Sequence, residues 1–156
     1  MKKTSAKKAP AIQYTIIPKN LAGHLFDVTV TVAAPADDGQ VFALPAWIPG
    51  SYMIREFARN IVQIRAESNG KPVALAKVDK HTWRAAPVPG PLTLQYEVYA
   101  WDLPVRAAPL DQTHGFFNGT TGSPRAVGRE DMAHEVDIQR PRDPAADNWR
   151  VATAMS

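Results

Sequence analysis

"LFDVTVTV", residues 25–32, alternates without a break: Phe26, Val28, Val30 and Val32 fall on one side of an extended chain, Asp27, Thr29 and Thr31 on the other. A period of two marks a strand with one face on a core and one in water. The pattern recurs along the chain. "LTLQYEVYAW", residues 92–101, sets Leu92, Leu94, Tyr96, Val98 and Ala100 against Thr93, Gln95, Glu97 and Tyr99. "IQYTI" offers Ile12, Tyr14 and Ile16. "NIVQIRAE" offers Val62, Ile64 and Ala66, and "HEVDIQ" offers Val136 and Ile138. A further strand is expected near "WRVATA", residues 149–154.

The turns agree with the strands. Asn69-Gly70 lies between two alternating runs, and both residues tolerate the positive φ of a type I′ hairpin. Asp38-Gly39 before "QVFAL" reads the same way, and Pro89-Gly90-Pro91 breaks the chain ahead of residue 92. Fourteen prolines in 156 residues, with hardly any helical period, point to an all-β antiparallel sandwich with many corners. The one helical candidate is a turn capped by Ser51 and bearing Met53, Ile54 and Phe57. The expected organisation is a basic tail over 1–10 and a single β domain over 11–156. Between Asp102 and Met132 the periodicity fades, and stretches this long inside a compact domain usually carry function or meet a partner.

Composition narrows the function. The formal charge is +3, but Lys2, Lys3, Lys7 and Lys8 supply more than all of it, leaving residues 9–156 at −1. A nucleic-acid module carries its charge on a folded face, so no nucleic-acid partner is expected. No apolar run approaches the roughly 18 residues of a membrane span, so no membrane partner is expected either. The chain has no cysteine and no signal-like apolar region after its basic start, which suits a cytoplasmic location.

No motif for catalysis stands out. The four histidines, His24, His81, His114 and His134, form no metal-binding pair at helical spacing. His134-Glu135 opens like H-E-x-x-H, but Ile138 stands where the second histidine belongs, and the alternation there makes a strand. Ser51 has no base near it in sequence and reads as a turn residue. Asp102, Asp111 and His114 read as loop polar groups that cap turns. Asn118-Gly119-Thr120 fits a glycosylation sequon and, more simply, a turn. Trp47, Trp83 and Trp101 are expected in the core, in preference to a stacking platform for a ligand. Catalytic residues and metal ligands are therefore expected to be none.

The stretch "LPAWIPGSYMIREFARN", residues 44–60, closely resembles a signature of the amino-terminal domain of the glycyl aminopeptidase family of zinc metallopeptidases. "NGKPVALAKVDKHTWRA", "LTLQYEVYAWDLPVRAAPLD", "HGFFNGT" and "QRPRDPAADNWRVATA" continue the resemblance in order, over residues 12–155. It implies a non-catalytic domain that supports and partly covers the cleft of a downstream catalytic domain. That domain would bear the zinc and act on a peptide substrate; no zinc ligand of the family maps onto this chain. Its partners would be its own catalytic domain and the peptide. The candidate cleft or interface residues are His114, Gly115, Phe116, Phe117, Asn118, Gly119 and Thr120. The structural signature comprises Trp47, Pro49, Gly50, Ser51, Tyr52 and Arg55. Here Pro49-Gly50 would make a type II turn, Trp47 would anchor it on the core, Tyr52 would brace its exit, and Arg55 and Arg59 would stay at the surface. The alternative is a stand-alone peptide- or carbohydrate-binding β-sandwich.

Overall fold

The computed structural model describes residues 11–101 and 109–155. The basic tail over 1–10 and Asp102, with the segment to residue 108, lie outside the described residues. Ten strands are described: β1 Ile12–Asn20, β2 Leu25–Val32, β3 Val41–Ala43, β4 Ile61–Ser68, β5 Lys71–Val73, β6 Leu75–Lys77, β7 Thr82–Ala85, β8 Leu92–Tyr99, β9 Arg125–Ala126 and β10 His134–Ile138. They form a six-stranded sheet in the order β10-β1-β2-β8-β4-β5 and a four-stranded sheet in the order β6-β7-β3-β9. The two sheets pack face to face as the β-sandwich that the alternation implies. One pair departs from the antiparallel expectation: β10 runs parallel to β1, with Ile12 opposite His134 and Ile16 opposite Ile138.

The core lies where period two puts it. Ile12, Tyr14 and Ile16 of β1, Phe26 to Val32 of β2 at every second residue, and Leu92, Leu94, Tyr96 and Val98 of β8 are buried against Phe42, Ala85 and Ala126 of the smaller sheet. A fully buried aliphatic or aromatic side chain contributes about 1.5–3 kcal/mol by leaving water, so this inner layer dominates stability. Trp83 joins Leu44 and Ala58 in a second cluster at the side. The outer face of the large sheet is polar, with the Thr31 and Thr93 hydroxyls 3.3 Å apart and Arg65 donating from Nε to Gln95 at 2.8 Å.

Three local expectations change and one holds. In β4 the pairing with β8 skips from Ile61 to Gln63. This bulge turns Ile61 toward the core side and leaves Val62 exposed, where simple alternation from Val62 had put it inward. Asp38-Gly39 is no hairpin: it joins strands of different sheets, and Gly39 alone takes positive φ, 104°. A Cβ on Gly39 would stand 2.4 Å from the Ala85 carbonyl oxygen, so the glycine there is a requirement of close approach. Asn69-Gly70 does make the I′ hairpin, with φ of 49° and 75°. Finally, "WRVATA" forms no strand: residues 150–155 run exposed and irregular after a 3-10 turn, Pro144–Ala146, that Asp143 caps through Ala145 N–H at 2.9 Å.

Candidate functional site

From residue 109 onward the aperiodic segment is held by specific bonds. Leu110 is fully buried and its N–H donates to Ala100 O at 2.9 Å. Phe116 N–H returns to Pro109 O at 2.8 Å, closing residues 109–116 into a small hairpin. Asp111 forms its turn, accepting on Oδ1 from Thr113 N at 2.6 Å, Thr113 Oγ1 at 2.6 Å and His114 N at 2.9 Å. The Thr113 hydroxyl above all, then the two amides, hold the Asp111 carboxyl down to about 2. A carboxylate bound this way caps a turn; it is a poor proton acceptor for catalysis. His114 stands exposed at the tip, with Nδ1 3.5 Å from that carboxylate.

Beyond the hairpin the two phenylalanines part. Phe116 is exposed, while Phe117 turns in and meets Phe26 edge-on, with ring centroids 5.1 Å apart. One helical turn follows, α1 Gly119–Gly122. Two phenols rising from the inner face of the large sheet hold this end: Tyr96 donates to Gly122 O at 2.6 Å and Tyr14 to Pro124 O at 3.3 Å. Burial pushes both phenols above their ordinary pKa, Tyr96 well above, so they remain donors. Sequence reasoning did not single them out. The available signal was an inward tyrosine in a strand, whose hydroxyl must find a partner once buried.

Because the six-stranded sheet is wider than its partner, the β1–β10 end of its inner face is covered by loops. Between them lies an apolar groove of about 460 Å³. Its floor is Tyr14, Ile16, Val136 and Ile138; Gly115, Phe116 and Phe117 form one wall, and Trp149 with residues 150–153 the other. Gly115 is the tight point, for a Cβ there would meet Leu110 at 2.9 Å and Trp149 at 3.3 Å. Of the predicted interface residues, Gly115, Phe116, Phe117 and Gly119 line this groove, and His114 and Asn118 adjoin it in sequence. The main chain of Thr120 lies in α1. His134 sits at the groove's edge, stacked on Tyr14 with centroids 5.9 Å apart, as an edge-strand residue.

The signature corner differs from expectation in an informative way. Ser51 N–H donates to Ile48 O at 3.1 Å and Gly50 has φ 82°, which is the type II turn predicted around Pro49. The Ser51 hydroxyl spans Met53, donating to its carbonyl at 2.9 Å and accepting from its N–H at 3.3 Å, which closes a local turn. Trp47, however, is no core anchor: it is 51% exposed, and its Nε1 donates to Ser51 O at 2.8 Å. Trp101 is also half exposed, stacked on His24 at 3.9 Å, so only Trp83 of those three tryptophans is core. Tyr52 braces nothing at 100% exposure, and Met53 and Ile54 are exposed as well. The expected capped helix is displaced to a 3-10 turn, Phe57–Asn60, of which Phe57 and Ala58 are buried. Arg55 is partly buried, not superficial, and its Nε meets no acceptor among the described residues. An unpaired buried donor of this kind costs about 1–3 kcal/mol.

Among the described residues, no three His, Asp or Glu side chains are grouped to hold a metal ion. Fold and site together define a β-sandwich domain with one loop-covered end bearing an apolar groove. The chain belongs to the Peptidase M61 N-terminal domain family, whose model matches residues 13–156. It is similar to an aminopeptidase N family protein from Idiomarina loihiensis, at 44% identity and a TM-score of 0.87, over 92% of this chain and 24% of that one. It also aligns with an M1 zinc metallopeptidase from Deinococcus radiodurans at 15% identity and a TM-score of 0.43, over 84% of this chain and 32% of that one. The chain thus spans about a quarter of the length of its Idiomarina relative. No curated protein matches it at a significant level.

Proposed function

We propose that this chain is the non-catalytic amino-terminal domain of a zinc-dependent aminopeptidase, supporting and partly covering the active-site cleft of a catalytic domain carried by the rest of the polypeptide. The observation that carries this reading is membership of the M61 N-terminal family, with a relative 44% identical over only 24% of its own length. Among the described residues no three side chains converge as the protein ligands a catalytic zinc needs, and in this reading the metal and its chemistry belong to the remainder of the enzyme. This chain's part is positioning. The 109–116 hairpin, held by Leu110, Asp111 and Gly115, presents His114 and Phe116 outward beside the groove, where they border the entrance for a peptide.

The test is peptidase activity on amino-acid amides, measured on the whole polypeptide and on residues 1–156 alone. Activity is expected in the first and only background in the second. Phe116→Ala in the whole enzyme should raise KM while leaving its melting temperature in place. Turnover by the 156-residue chain, or a whole polypeptide that cleaves no peptide bond, would overturn the assignment. The groove favours one second reading, a stand-alone module for an extended peptide or a carbohydrate, since its 460 Å³ lies within the range of about 300–1,000 Å³ typical of ligand sites. Calorimetric titration with short apolar peptides decides that reading separately.

A further inference from the structure

The corner at residues 47–55 is rigid and yet shows apolar groups to water. Its backbone is fixed by the Pro49-Gly50 turn, by the Trp47-to-Ser51 bond, by the Ser51 bonds to Met53 and by Arg55 N–H on Ala46 O at 2.6 Å. From this frame Trp47, Tyr52, Met53 and Ile54 project as neighbours, between 51% and 100% exposed. Single exposed apolar side chains are ordinary, but four together on a pre-ordered loop form a contact surface. At its border Glu56 and Lys80 pair at 2.7 Å, giving the polar rim that interfaces carry around an apolar centre. Beneath it the Arg55 Nε is buried without an acceptor among the described residues. The 3-10 turn that continues the corner lies within 8 Å, Cα to Cα, of the helical turn α1. The corner and the candidate cleft loop therefore share one end of the sandwich.

We infer that residues 47–55 are the face on which the rest of the same polypeptide docks, seating Tyr52, Met53 and Ile54 in an apolar hollow and offering Arg55 an acceptor oxygen. The choice of occupant rests on the functional reading above. The 44%-identical relative carries about three quarters of its chain outside the matched region, enough for a large partner surface in the same molecule. A docked tether-mate explains why the loop is stiffened by polar bonds and not by burying its own aromatic residue: the tryptophan and tyrosine are kept for the interface, where such residues concentrate.

Hydroxyl-radical footprinting of the whole polypeptide tests this, because Trp, Tyr and Met side chains are all reactive when wet. Wild-type Tyr52, Trp47 and Met53 should be poorly labelled, and Ile54→Asp should raise labelling of Tyr52 and Trp47 by about 3-fold or more as the centre of the interface opens. Val62→Asp, at an exposed site on β4, should change nothing there. Should Ile54→Asp fail to fold, Tyr52→Ala, at a fully exposed side chain, gives the same readout on Trp47 and Met53. Full labelling of Tyr52 in the wild type, or labelling of Trp47 left unchanged by both variants, overturns the inference. So does protection that grows with protein concentration, which assigns the face to a second copy. Protection that appears only with phosphatidylcholine vesicles assigns it to lipid and overturns the inference as well. Peptide hydrolysis is scored apart: a protected corner in an inactive polypeptide removes the peptidase reading alone, and an active polypeptide with a fully labelled Tyr52 removes the docking face alone.

Discussion

Replacing Phe117 by alanine should destabilise the sandwich itself. A fully buried phenylalanine costs about 3–5 kcal/mol on truncation to alanine. Phe117 is only partly buried, which lowers the transfer contribution, but its edge-on contact with Phe26 at 5.1 Å adds about 0.5–1.5 kcal/mol. The space it leaves cannot close easily. Its ring tip fills the hollow under α1, where a Cβ on Gly122 would stand 2.5 Å from Cζ, and that turn is pinned by the Tyr96 hydroxyl. About 2–3 kcal/mol is therefore expected. At this chain length each kcal/mol shifts Tm by about 2–4 °C, so a fall of about 4–12 °C should appear in thermal melts followed by circular dichroism. The double variant Phe26→Ala/Phe117→Ala should show a coupling of at least 0.5 kcal/mol, about the lower limit for residues in contact. Phe116→Ala, next in sequence but facing water, should stay within about 0.5 kcal/mol of wild type. A loss under about 1 kcal/mol for Phe117→Ala, or additive effects with Phe26, would refute the packing of this segment on the core.

Trp47→Ala should cost only about 1 kcal/mol, the net value of its bond to Ser51 O, and not the roughly 3–5 kcal/mol of a core ring. Urea unfolding separates the two outcomes, and a loss above about 3 kcal/mol would return Trp47 to the core. The Asp111 turn should be sensitive to acid. Its carboxyl titrates near 2 when folded and near 3.9 in an unfolded chain, so its contribution is complete above about pH 4 and disappears as pH falls through 2. Amide exchange at Thr113 and His114, corrected for intrinsic rates, should accelerate over that window, and Asp111→Asn should abolish the pH dependence. Exchange that stays flat to pH 2 in the wild type would contradict it.

The parts of this fold that sequence reveals are those ruled by a single local physics. Alternation at Phe26 to Val32 and at Leu92 to Val98 is decided by one buried face, and the Asn69-Gly70 and Pro49-Gly50 turns by which residues accept positive φ. Where two influences compete, pattern alone misleads. The β4 bulge shifts Val62 outward although the alternation is unbroken, because register depends on the partner strand and not on the run itself. The "WRVATA" run alternates like a strand but finds no ladder among the described residues, and hydrogen-bond partners, not propensity, make a strand. The corner at 47–55 shows the same limit most sharply. The sequence reading places Trp47 in this domain's own core, since burial is the usual destination of so large an apolar side chain. The docking face inferred above breaks that assumption: the drive to bury Trp47, Tyr52, Met53 and Ile54 is undiminished, and the surface that would satisfy it lies outside the sandwich. Misplaced hydrophobic residues on a well-ordered loop are thus themselves the signal of a partner, one that becomes readable only when the core is seen to be complete without them.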